Sequence, residues 1–105
     1  MVSRGDIAWL QHPEAGRRPA LVLTRQAAIP VLRNVTVALI TGTVRDIPTE
    51  VSLGVEDGMP RPCAVSLDNL STVPAMLLAD HITRLPDERM RQVCLALTRA
   101  TGCAA

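Results

Sequence analysis

Apolar and polar positions alternate along most of the chain in short runs broken by glycine and proline. Residues 6–10, DIAWL, predict a first short strand. The segment HPEAGRR follows as a loop, because Pro13 and Gly16 break both the strand and the helix period. PALVLT, residues 19–24, predicts a second strand, with Pro19 at the strand start, where a missing N–H is tolerated. NVTVALI, residues 34–40, carries β-branched residues on both faces and reads as a central strand. After the polar loop TGTVRDIP, residues 49–53 put Thr49, Val51 and Leu53 on one face and Glu50 and Ser52 on the other. A second turn cluster, GVEDGMPRP, leads into CAVSLDNLSTV, which supplies one or two further strands. Short strands at this spacing predict a small, strongly bent sheet or barrel.

The period changes near the end. From Pro86 to about Thr101, Met90, Val93, Cys94 and Leu97 fall at i, i+3, i+4 and i+7, one face of a helix. Pro86 suits its first turn, Asp87 and Glu88 favour its positive end, and Gly102 is placed to stop it. Leu95 lies off the stripe. Cys94 lies on it and is expected to be buried. The predicted fold is therefore mainly β with a C-terminal helix, an α+β or SH3-like barrel arrangement. At 105 residues it is one domain, 1–105, with strands over about 6–84 and a helix over about 86–101.

Composition adjusts this picture. Trp9 is the sole aromatic residue, so the core must be built from aliphatic side chains, and a second chain is expected to complete it. The three cysteines match no zinc or CxxC spacing, which fits a reducing cytoplasm. The N-terminus reaches Arg4 and Asp6 without an apolar signal region, and no apolar run approaches the ~18 residues of a membrane span. A cytoplasmic, membrane-free protein is expected. Net charge is only +1, but residues 1–45 hold six arginines against Asp6 and Glu14, while the remainder holds five against eight acids. All eleven basic residues are arginine, whose planar fork of donors suits phosphate; GC-rich coding would leave the same mark.

Most catalytic signatures are missing. There is no phosphate-cradling glycine loop and no GxSxG, and His12 and His81 lack metal-ligand spacing. No cofactor or metal is expected. Aromatic platforms for stacking bases are also absent. What remains is arginines, hydroxyls and amides at strand ends. Arg17 and Arg18 stand at the mouth of the second strand, where neighbours point to opposite faces, so one is expected to face a concave site and the other solvent. On pattern alone, two solvated arginines are the simpler reading.

Several stretches in order resemble the MazF/PemK family of bacterial toxins, which are sequence-selective endoribonucleases. They are RGDIAWL, RRPALVLT, VALITGTVRDIPTEVSL, AVSLDNLSTV and LLADHITRLPDERMRQVCLAL. Together they cover nearly the whole chain. The resemblance implies an SH3-like barrel working as a homodimer, with a cognate antitoxin of the MazE or ribbon-helix-helix kind that occludes the RNA groove. It implies Arg18 and Thr41 as the catalytic pair. It also implies metal-independent cleavage of single-stranded RNA by the RNA's own 2′-hydroxyl, leaving a 2′,3′-cyclic phosphate and a 5′-hydroxyl. Such a guanidinium and hydroxyl suit the charge that develops on the phosphate oxygens.

The chain departs from the family pattern in places. The loop QHPEAG is short, and Glu14, its only acid, is either a proton carrier or a solvated loop acid. Pro86 stands where Ser or Thr usually caps the helix. Asn69 replaces a common glutamine after Asp68, keeping an amide for RNA contact. Thr43 and Arg45, in the loop after Thr41, are candidates to grip flanking phosphates, and so is Arg17. Base selection is assigned to loop side chains around Arg25, Arg45 and residues 54–62. Two other readings stay open: a non-enzymatic gyrase poison like the related CcdB toxins, and an inactive SH3-like binding module.

Overall fold

The computed structural model describes residues 1–12, 14 and 16–103. Six strands precede one helix: β1 (Asp6–His12), β2 (Gly16–Val22), β3 (Asn34–Thr41), β4 (Glu50–Leu53), β5 (Cys63–Pro74), β6 (Leu78–Arg84) and α1 (Asp87–Thr101). The strands form one antiparallel sheet in the order β4-β5-β3-β2-β1-β6. It curls as the bent-sheet pattern predicts, with β4 and β6 as its two edges.

The predicted loop of residues 12–18 is shorter than the sequence implied. β1 runs on to His12, which pairs with Gly16, and Arg17 and Arg18 lie inside β2. Gly16 is the reason: at φ +74° it adopts the left-handed conformation that lets the chain reverse within a few residues. Pro19 pairs with Trp9 of β1, and the β2–β3 ladder opens only at Ala20, so the donor that proline lacks is not needed there.

β5 is one strand rather than two, but it bends. Ala38 of β3 faces Leu70, whereas Ile40 faces Val65. The residues between form a bulge that carries Ser66, Asp68 and Asn69. The arm beyond it pairs with both β3 and β4.

Alternation explains why β-branched residues occupy both faces. Ile7, Leu21, Ala38, Ile40 and Val65 pack with Met90, Val93 and Ala96 of α1. Their neighbours Ala8, Leu10, Ala20, Val22, Val35 and Val37 pack on the other face with Val73 and Leu78. A sheet apolar on both sides must be covered on both. The helix covers one. Curling, with Ile29 and the turn around Ala75–Leu77, covers the other.

The helix begins and ends as predicted but faces the sheet differently. Met90, Val93 and Ala96 are buried, with Leu97 and Ala100 partly so, whereas Cys94 is exposed. Small Ala96 lets α1 approach β4 and β5 closely, which rotates Cys94 out of the contact. The Arg4 guanidinium then lies beside it, donating to the Leu23 carbonyl and standing 3.2 Å from the Cys94 sulfur. The buried thiol is Cys63 instead.

The β4–β5 connection is tied down from two sides. Asp57 takes a two-pronged contact from Arg89 of α1, at 2.8 and 3.0 Å, and accepts the Gly54 N–H at 2.9 Å. Thr83 of β6 donates to the Asp57 carbonyl at 3.1 Å. Gly58 turns at φ +90°, and a methyl group there would collide with the Thr83 side chain. Met59 is buried beneath the connection.

Candidate functional site

The β2–β3 ladder pairs Ala20 with Leu39, Leu21 with Ala38 and Val22 with Val37. Beyond that ladder, Arg18 lies two residues before Ala20 and Thr41 two residues after Leu39. Both line a cavity of about 230 Å³ at that end of the sheet, together with Trp9, Arg17, Met59 and Arg61; Cys63 lies at its edge. No carboxylate contributes to the lining. A wider groove of about 670 Å³ runs between α1 and the β3–β4 connection, but Asp46, Glu50, Arg89 and Arg99 balance charge there and neither Arg18 nor Thr41 reaches it.

Arg18 is half-buried, and among the described residues no hydrogen bond or ion pair engages its guanidinium. The Thr41 hydroxyl oxygen accepts the Thr43 N–H at 3.1 Å, which leaves the hydroxyl proton to donate into the cavity. An uncompensated guanidinium beside a hydroxyl donor is an oxyanion site. Burial pushes the Cys63 thiol above its ordinary value of 9.0, with Asp57 adding to that and Arg61 opposing it, so the cavity wall is neutral there near pH 7.

Arg17 departs from expectation. Its backbone alternates with that of Arg18, yet both side chains reach the cavity. Asp80 of β6 holds the Arg17 Nη2 at 2.8 Å, and the guanidinium carbon sits 4.5 Å from the centre of the Trp9 ring. This draws the long side chain across β1 toward β6 while leaving it largely exposed to solvent. Arg17 and Trp9 thus form a stacked platform at the cavity rim.

The other sequence-predicted residues scatter. Thr43 lies two residues after Thr41 and donates its N–H to the Thr41 hydroxyl. Arg45 is turned toward β4, with its N–H on Glu50 Oε1 at 2.9 Å and its Nη1 3.8 Å from Glu50 Oε2. Asn69 donates to the Ser66 hydroxyl at 2.8 Å within the β5 bulge, where Asp68 accepts from Thr49 at 2.5 Å. Glu14 is exposed on the β1–β2 turn, its N–H on His12 Nδ1 at 3.1 Å. Arg25 lies past the far end of β2, at the Gln26–Ala28 turn, and is not brought to the cavity. Arg61 was covered from the sequence only as part of the 54–62 stretch assigned to base selection, and Trp9 was given no site role. The signal for Arg61 was available, since Arg61–Pro62 repeats the Arg18–Pro19 pairing.

Among the described residues, no three His, Cys, Asp or Glu side chains converge as metal ligands, and no helix is long and apolar enough to cross a membrane.

A curled antiparallel sheet with a terminal helix, opening at one strand end onto a cavity lined by three arginines and by no carboxylate among the described residues, defines a small β-barrel-like domain. Comparison with known proteins narrows the class. Residues 3–101 match the family described as PemK-like, MazF-like toxin of type II toxin–antitoxin system. The chain is 44% identical over 103 residues to a probable endoribonuclease of Mycobacterium tuberculosis, MazF5, covering 97% of this chain and 94% of that protein. Its fold matches the Mycobacterium tuberculosis toxin MazF-mt6 with a TM-score of 0.85 at 37% identity, covering 92% of this chain and 96% of the other. It also matches an endoribonuclease solved in complex with its cognate antitoxin, from a mycobacterial species, with a TM-score of 0.89 at 26% identity, over 100% of this chain and 99% of that one. The chain belongs to the PemK-like, MazF-like toxin family.

Proposed function

We propose that this chain is the toxin of a toxin–antitoxin module, an endoribonuclease that cuts single-stranded RNA with Arg18 and Thr41 as its catalytic pair. The observation that supports the reading is that both line one cavity to which, among the described residues, no carboxylate contributes. The 2′-oxygen attacks the adjacent phosphorus, the bond to the 5′-oxygen breaks, and the products are a 2′,3′-cyclic phosphate and a 5′-hydroxyl. Negative charge grows on the nonbridging oxygens, where the Arg18 fork and the Thr41 hydroxyl donate. Arg18 stays protonated throughout, because a guanidinium pKa exceeds about 12, so it stabilises charge and does not abstract the proton. Glu14, on the turn beside the cavity end of the sheet, is the proposed proton carrier. Arg17, Thr43, Arg45 and Asn69 are proposed to contact flanking nucleotides. No residue is assigned to a metal or cofactor.

The working form is proposed to be a homodimer in the cytoplasm, restrained by a cognate antitoxin. The antitoxin complex of the mycobacterial relative supports this, and exposed Met76 and Leu95 are apolar surface for partners to cover.

Incubating the purified protein with a long transcript in excess EDTA tests the reading. Fragments with cyclic phosphate ends are expected, and they are expected to disappear with Arg18→Ala or Thr41→Ala. Intact RNA with the wild type overturns the nuclease reading, and inhibition of gyrase supercoiling in its place supports the CcdB-like alternative.

A further inference from the structure

Arg61 is the third guanidinium at the cavity. It sits two residues before β5, whose Ala64 pairs with Thr41 at the end of β3. β3 lies between β5 and β2 in the sheet, so Arg61 enters on one side of Thr41 and Arg18 on the other. The Arg61 Nη2 lies over Gly42, the residue after Thr41; a methyl built on Gly42 would stand 3.9 Å from it.

Two further observations separate Arg61 from an ordinary surface arginine. Its backbone is restrained: Pro60 and Pro62 fix φ on either side, and the connection is tied to α1 through Asp57 and Arg89. Its charge is also uncompensated. Among the described residues no hydrogen bond or ion pair engages the Arg61 side chain, whereas Arg17 at the same cavity is held by Asp80. An uncompensated guanidinium lining a cavity to which no described carboxylate contributes is placed to take an anion.

We propose that Arg61 is a further catalytic residue, clamping the scissile phosphate from the side of Thr41 opposite Arg18. A phosphodiester carries one negative charge and its pentacoordinate transition state two, spread over two nonbridging oxygens. One fork on each side matches that distribution as it develops, so Arg61 acts on kcat rather than on ground-state binding. The inference rests on the endoribonuclease reading above.

The test uses the purified full-length chain and an RNA oligonucleotide spanning a cleavage position mapped with the wild type. Arg61→Ala is expected to lower kcat about a hundredfold with KM little changed. Arg61→Lys is expected to restore only part, because an ammonium lacks the parallel donors. With Rp and Sp phosphorothioates at the scissile phosphate, the cleavage ratio is expected to shift one way for Arg61→Ala and the other way for Arg18→Ala. The exposed, unbonded side chain makes a loss of folding an inadequate explanation, and an unchanged melting temperature is expected. An unchanged kcat, a change confined to KM, or an unshifted diastereomer ratio overturns the clamp. A wild type that cuts no RNA overturns the nuclease reading and the clamp with it, whereas a cutting wild type with an indifferent Arg61→Ala overturns the clamp alone.

Discussion

Arg17 and Arg18 are neighbours in sequence with different surroundings, and substitution is expected to separate them. Arg18→Ala is expected to lower kcat at least a hundredfold without shifting the melting temperature, because its guanidinium makes no bond in the free protein. Arg17→Ala gives up an exposed ion pair and a ring contact, together about 1 kcal/mol, and should raise KM with kcat retained. Asp80→Asn acts in the opposite sense: it releases Arg17 toward RNA, so KM falls and its dependence on salt steepens. Steady-state kinetics at two salt concentrations check all three. Ordered motifs put Arg18 and Thr41 forward, and the fold brings both to one cavity. The partner of Arg17 was not, because Asp80 comes from a strand on the other side of β1 and no local pattern ties the two together.

At the scale of elements, the helix distinguishes period from phase. Its length, capping residues and amphipathic period were readable. Its rotation was not, since the shape of the sheet decides whether Cys94 or Ala96 is seated. Val93→Ala should therefore cost about 2 kcal/mol from lost burial and an unfilled space, whereas Cys94→Ser should stay within about 0.5 kcal/mol. Thermal unfolding of the two variants checks the phase directly. The extension of β2 back to Gly16 was hidden for a similar reason. Gly16 read as a breaker and Pro19 as the strand start, but the left-handed turn at one and the late opening of the β3 ladder at the other make both compatible with a longer strand. Gly58→Ala meets both a left-handed backbone and the Thr83 side chain, so a loss of about 2 kcal/mol or more is expected. Because Gly58 shapes the connection that carries Arg61, its loss should impair cleavage as well.

For the molecule as a whole, two carboxylates tie distant parts of the chain together and set its response to acid. Asp57 is held below its ordinary value of 3.8 by the hydrogen bonds from Arg89, against the opposing effect of burial. Burial pushes Asp6 up, but hydrogen bonds from Arg84 and the Ser3 N–H, with the nearby charges of Arg84 and His81, outweigh it and leave its pKa lowered. A carboxylate with a depressed folded pKa contributes stability above its unfolded value and loses it as pH falls through the folded one. Stability should therefore hold from neutrality down to about pH 4 and decline below 3.8. Arg89→Ala should flatten part of that decline while costing about 2 kcal/mol at neutral pH. Urea titrations across the acid range check both.

The β6 edge carries a consequence of another kind. Its ladder to β1 shifts register twice within three residues, and Asp80 takes a left-handed turn at φ +52°. A strand of that shape presents no straight row of amide donors and acceptors, and its charged tip is unwelcoming to a neighbour. The molecule is thereby protected against recruiting further chains by backbone pairing and growing into aggregates at that edge. Straightening the kink would present a continuous row of backbone donors and acceptors for another chain to pair with.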